Sequence, residues 1–272
     1  MAFTLCLNTS TIRPQPLLEK VRLAGAHGFA GVELWINDVY EHVGRGGEVR
    51  EVQKAVADHG LIVPCTISLR GWAEAVGEEY PIALEAVRRQ MELAARLGSP
   101  YIVATPPREP CDIKQITLRY KDLLRLGRQV GVKPVMENIS FFHSVSKLEQ
   151  AWDIARAAND DDATLIPDAF HTWNSHSNPQ VWRDIPVERI AHYHFDDAPE
   201  VSRDGKVRGQ MTDPDRVMPG DGVIDLEAEV QTLRRKGYAG TVSLELFNPD
   251  LWAKDPNELL RVGIERMRAF FG

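Results

Sequence analysis

The chain has 272 residues, 43% hydrophobic and 26% charged, with a net charge of -7, which is an ordinary globular composition able to bury a full core. The acidic balance argues against a polyanionic partner, because nucleic-acid binding draws its affinity from clustered Lys and Arg, and no apolar run approaches the ~20 residues of a membrane span. Cys6, Cys65 and Cys111 are odd in number and lack CxxC spacing, and the start MAFTLCLNTS has neither the basic opening nor the long apolar region of a signal peptide, so a reduced, cytoplasmic setting is expected.

Strand-like runs alternate with helical patterns along the chain, the signature of parallel βα units. The first run, 3–8, leads into a helix over 16–27 with Gly28 as its stop, and the second, 31–35, is followed by a helix near 48–59 stopped by Gly60. A third run covers 62–67. Pro81 then opens a helix whose Leu84, Val87, Met91 and Ala94 step by three, four and three, the spacing of a buried stripe, and Gly98 ends it. The fourth run is 101–104, and Ile113, Ile116, Tyr120 and Leu123 mark a helix of the same period, closed by Gly131. After the fifth run, 133–137, a helix starts at Ser146 with Glu149 three residues on, the pattern of a capping box, and WDIARAA continues it. The sixth, seventh and eighth runs are 164–168, 189–195 and 240–246, and a last helix carries Leu260, Ile264, Met267 and Phe271.

Eight such units predict an α/β fold, a single (β/α)8 TIM barrel occupying 1–272 as one domain, in which reacting groups gather at the carboxyl ends of the strands. No GxGxxG follows the first strand, which argues against an open dinucleotide-binding sheet. Repeats of solenoid period, low-complexity tracts and Gly/Ser linkers are all missing. The connection DDAPEVSRDGKVRGQMTDPDRVMPGDG, after the seventh strand, far exceeds the usual two to six residues of a βα loop and is expected to be functional. Its Arg203, Lys206, Arg208 and Arg216 could bring cations over an acidic mouth.

Four candidate ligands lie near the ends of different strands: Glu137 closes KPVMEN, Asp168 stands in LIPDAFHTW, His194 in IAHYHFDDA and Glu245 in TVSLELF. Three carboxylates and an imidazole without thiolate suit Mn, Mg, Co or Zn in an enlarged shell better than a closed structural zinc. His192 shares the strand face of His194, Asp196 and Asp197 compete as ligands, and Glu33 in GVELW also points to the mouth, more as a supporting group than as a ligand. His171, three beyond Asp168, is expected to begin a loop where it binds a substrate hydroxyl or orients a ligand.

These residues resemble the xylose isomerase-like TIM-barrel superfamily of sugar isomerases and epimerases, whose metal is held by Glu, Asp, His and Glu from successive late strands. The resemblance spans the whole chain, and its later segments DAFHTWNSHSN, YHFDDAPE, DRVMPGDGVIDLEAEV and VSLELFNPDLW are similar to those of inosose (2-keto-myo-inositol) isomerases. It implies one divalent metal ion, Mn foremost and Co, Mg or Zn as alternatives, on Glu137, Asp168, His194 and Glu245, with substrate bound by His171 and Arg216. It further implies that Glu137 and Glu245 flank the substrate and pass a proton between carbons of an α-hydroxyketone. With no compact phosphate cradle in the sequence, the expected partner is a neutral keto-polyol or ketose, with neither nucleic acid nor membrane, and a homo-oligomer is open. The same enolate chemistry serves dehydration or β-elimination, as in 3-dehydroshikimate dehydratases or oxidised C-glycoside deglycosidases. A relative cutting DNA at abasic sites would need more His ligands and a basic groove, and a non-catalytic ligand-binding barrel is the remaining reading.

Overall fold

The computed structural model describes residues 2–272. Eight parallel strands are arranged around the barrel: β1 (Thr4–Asn8), β2 (Gly31–Trp35), β3 (Thr66–Leu69), β4 (Tyr101–Ala104), β5 (Lys133–Glu137), β6 (Thr164–Ile166), β7 (Tyr193–Phe195) and β8 (Thr241–Leu244). Hydrogen-bonded neighbours run in the order β6-β5-β4-β3-β2-β1-β8-β7. The remaining seam, between β6 and β7, is bridged in parallel at Leu165 with Ile190 and at Asp168 with His194. The expected TIM barrel is therefore the fold, and among the described residues no helix is long and apolar enough to cross a membrane.

Alternation along each strand decides what enters the barrel, because successive side chains point to opposite faces. Cys65, Ile67, Val103, Val135 and Ile166 form a small inner cluster, whereas Leu34, Ile102, Met136 and Leu165 belong to the larger layer between sheet and helices. Continuing the inner parity by two residues from Val135 reaches Glu137, and from Ile166 it reaches Asp168. His194 in β7 and His192 just before it lie on one face, with Ser243 opposite His194 in the β7–β8 register. The inner face is thus apolar low in the barrel and acidic at its carboxyl end.

The structure corrects several boundaries. The third strand is Thr66–Leu69 rather than 62–67: Ile62 makes only an isolated bridge with Gly31, and the ladder to β4 begins at Thr66, beyond Pro64, which lacks the donor a ladder needs. A helix over Ile36–Gly44 precedes the expected one, which runs Val49–Asp58. The capping box also shifts by one: Gln150 Oε1 accepts from Ser146 N and Lys147 N, both at 3.0 Å, while Glu149 instead accepts from Asn178 N at 3.3 Å. Strand β6 stops at Ile166, ahead of Pro167, and Asp168 becomes the N-cap of a helix over Ala169–Asn174, its Oδ1 accepting from His171 N at 2.7 Å. His171 thus sits on a helix and not in a loop. The seventh strand is only Tyr193–Phe195, preceded by a 3-10 turn at Val187–Arg189.

Candidate active site

At the carboxyl end of the barrel, Glu137, Asp168, His194 and Glu245 each present one ligand atom, and these atoms all lie within 4.8 Å of one another. The imidazole of His194 is the hub. Its Nδ1 lies 3.1 Å from Glu137 Oε1, 3.2 Å from Glu245 Oε2 and 3.7 Å from Asp168 Oδ2. Its Nε2 faces the other way, 3.1 Å from Glu33 Oε1. A carboxylate opposite Nε2 favours a proton there and leaves the Nδ1 lone pair for a cation, the arrangement by which a supporting carboxylate orients a ligating histidine.

The competing candidates make other contacts, although His192, whose Nε2 also lies 3.5 Å from Glu33 Oε2, forms with Glu33 and His194 a second group of converging ligand atoms. Both nitrogens of His192 meet hydroxyls, Thr241 Oγ1 at 2.5 Å and Ser243 Oγ at 2.7 Å. Asp197 accepts from the backbone amides of Ala198, Gly220, Gly222 and Ile224 at 2.8 to 3.0 Å and so ties down the long loop. The fit is close: a Cβ on Gly222 would stand 2.3 Å from Asp197 Oδ1. Asp196 accepts from Phe170 N at 2.9 Å and from Arg216.

Of the four loop cations, only Arg216 enters the site. Arg203 pairs with Asp250 at the surface, Lys206 with Asp215, and Arg208 donates to the Trp173 carbonyl. Buried Arg216 reaches Glu245 Oε2 at 2.7 Å, Asp196, Asp213 Oδ1 at 2.9 Å and His171 Nε2 at 2.9 Å. An arginine can only donate, so His171 accepts at Nε2 as a neutral imidazole, and its Nδ1 lies 3.1 Å from Ser140 Oγ and 3.4 Å from the Ser140 amide nitrogen. Burial pushes the His171 pKa down despite the nearby Asp168, which fits that neutral form.

Charge in this space is unbalanced. Glu33, Glu137, Asp168, Asp196 and Glu245 are all buried, against one fixed cation, Arg216. Burial pushes the Glu245 and Asp196 carboxyls well up. It would do the same to Asp168, but the Arg216 guanidinium holds that group well below its ordinary value. Burial acts to lower His194, yet Glu245 and Glu33 outweigh it and push the imidazole well up. Asp168 Oδ2, wholly buried, makes no hydrogen bond that meets normal geometry, its nearest partner being Arg216 Nη1 at 3.1 Å. A donor set of three oxygens and one nitrogen and a surplus of acids fit a divalent cation, which would supply the missing positive charge.

A cavity of about 270 Å³ opens above the cluster, near the lower end of the ~300–1,000 Å³ usual for small-ligand pockets and suited to a sugar-sized molecule. Glu137, Glu245, His171 and Arg216 line it together with Trp35 and Phe247, whereas Asp168 and His194 lie outside its lining. Sequence reasoning passed over Asp213, Trp35 and Asn8. Asn8 carried a legible signal, a polar residue closing the apolar run of LCLN, as Glu137 closes its own strand.

The family model for the xylose isomerase-like TIM barrel matches residues 21–270. A 3-dehydroshikimate dehydratase of Pseudomonas aeruginosa is 29% identical over 235 residues, covering 85% of this chain but 36% of its own length, so the chain spans little more than a third of that relative. An inosose isomerase of Bacillus velezensis is 25% identical over 273 residues, covering 97% of this chain and 96% of its own. Among solved structures, the IolI protein with a bound zinc atom superposes with a TM-score of 0.89 at 24% identity, covering 99% of this chain and 98% of that one, a likeness of fold.

Proposed function

Because the chain belongs to the xylose isomerase-like TIM barrel family, we propose that it is a divalent-metal-dependent isomerase or epimerase of a keto-polyol such as an inosose, or of a ketose, acting as one domain in the cytoplasm. The observation that carries this reading is the division of the acidic cluster: Glu137 and Glu245 line the cavity while Asp168 and His194 do not. Two carboxylates can then meet a bound substrate while still converging on the cluster beneath.

In this reading Glu137, Asp168, His194 and Glu245 hold the ion, with Mn preferred and Co, Mg or Zn as alternatives, and the ion when bound supplies Lewis-acid polarisation of the ketone. One of the two glutamates takes the proton from the carbon next to the carbonyl. The C–H electron pair becomes the C=C bond of an enediolate, and the carbonyl oxygen takes the charge. The other glutamate returns a proton to the former carbonyl carbon while the proton of the α-hydroxyl passes to the former carbonyl oxygen, so the carbonyl moves to the adjacent carbon without change of mass. Arg216 and His171 bind substrate oxygens, and Arg216 stabilises negative charge as it develops. Trp35 and Phe247, packed edge to face at 5.6 Å, give the cavity an apolar wall for the C–H face of a ring.

The match to a dehydratase over 85% of the chain supports a second reading. There the same enediolate re-forms the ketone and expels the β-hydroxyl, which takes the proton held by the first glutamate and leaves as water. Metal-free protein reconstituted with Mn, Co, Mg or Zn and offered inososes, ketohexoses and 3-dehydroshikimate separates the two by product mass. An isomer of unchanged mass supports the isomerase, a product lighter by one water supports the dehydratase, and turnover of none of them refutes both.

A further inference from the structure

The four clustered residues come from β5 to β8 and the segments that follow those strands, yet their orientation depends on the opposite half of the barrel. Asn8 ends β1 and Glu33 lies in β2, paired in register across that ladder. Asn8 is wholly buried and uses the full capacity of its amide. Its Oδ1 accepts from Ser10 N and from Trp35 Nε1, each at 2.9 Å. These two donors fix which end of the amide is oxygen. The Nδ2 group must therefore face the other way, where it donates to Glu33 Oε2 and to Glu245 Oε1, each at 2.8 Å.

One amide group thus grips two carboxylates with different tasks. Glu33 faces Nε2 of His194 and sets which imidazole nitrogen is left for the cluster. Glu245, held at Oε1, has its Oε2 directed to Arg216 and His194 Nδ1. We propose that Asn8 is the positioning residue of this centre, using its two N–H donors to lock Glu245 and, through Glu33, His194 into the geometry that receives the cation. The proposal rests on the reading of the cluster as a metal centre. Trp35 links it to substrate, since the indole that orients the amide also lines the cavity.

The isostere Asn8→Asp separates this role from a structural one. Aspartate keeps an oxygen for Ser10 N and Trp35 Nε1, so the turn after β1 stays capped, but it loses the paired donors to Glu33 and Glu245. Asn8→Ser is the uncharged companion: its hydroxyl can cap the turn but is too short to reach both carboxylates, so it covers the case in which a buried aspartate prevents folding. Metal-free wild type and both variants are titrated with Mn²⁺ by calorimetry, with circular dichroism as the check on fold. Loss of a group supporting a metal ligand typically weakens binding by ~10–100-fold, and that loss is expected in each folded variant. Wild-type affinity in a folded variant overturns the positioning role and leaves the metal reading standing. A wild type that binds no divalent ion overturns both.

Discussion

Replacement of Arg216 by methionine tests the charge balance of the site. Arg216→Met keeps much of the side-chain volume between Phe170 and Phe247, over whose rings the guanidinium lies at 5.0 and 5.2 Å. It deletes the one fixed cation beside Asp168, Asp196 and Glu245. Breaking a buried ionic cluster by removing one partner costs ~3–5 kcal/mol, because the remaining charges stay buried and uncompensated. For a domain near this size each kcal/mol moves Tm by ~2–4 °C, so metal-free Arg216→Met should melt ~6–20 °C below wild type by circular dichroism. Divalent metal should narrow that gap, since the ion supplies positive charge to carboxylates that have lost their cation and so binds the variant more tightly, each tenfold in Kd closing the gap by ~1.4 kcal/mol at saturating ion. A metal-free variant melting within about 2 °C of wild type, the range of an ordinary surface change, would refute the reasoning.

Glu33→Gln replaces the acceptor at His194 Nε2 with a neutral amide, releases the preferred imidazole tautomer and should weaken Mn²⁺ binding by ~10–100-fold in calorimetry; unchanged affinity contradicts the orienting role. A separate test concerns Glu229, whose carboxyl takes a hydrogen bond from the Tyr193 hydroxyl at 3.1 Å and is pushed by burial from 4.5 up to about 7. Since its folded pKa is raised, the unfolded chain gives up this proton first, so the stability Glu229 contributes is complete below 4.5 and is lost as pH rises through about 7. The Tm of Glu229→Gln relative to wild type should therefore be higher at pH 8 than at pH 5, and an equal difference at both pH values contradicts the shift.

The sequence made legible the parts of this molecule that depend on local pattern. Strands β2, β4 and β5 fall where apolar runs bounded by Gly or Pro put them, and the stripe Val87, Met91 and Ala94 is buried as its spacing requires. What failed was local pattern inside continuous apolar stretches. In LIVPCTISL either end could pair, and the ladder could begin only after Pro64. At the site, strand-end position and residue type brought Glu137, Asp168, His194 and Glu245 forward but left His192, Asp196 and Asp197 in competition, and the family resemblance chose among them; inner-face parity brings the four together. They did not reveal that Asp197 is engaged by four backbone amides, or that a single amide from β1 reaches both Glu33 and Glu245. Apart from the adjacent Ala198 amide, those contacts span 23 to 237 residues of chain, which no spacing rule encodes.

The most direct test of the account is proton exchange at carbon. Metal-loaded protein is incubated with an inosose in deuterium oxide and followed by NMR, beside the metal-free protein and the Glu137→Gln and Glu245→Gln variants. Ion-dependent loss of the α-proton signal is predicted, slower by ~10²–10⁴ in either variant that still binds the ion. Exchange that proceeds without metal, or at wild-type rate in both metal-bound variants, would contradict the assignment of Glu137 and Glu245 as the groups that carry the proton.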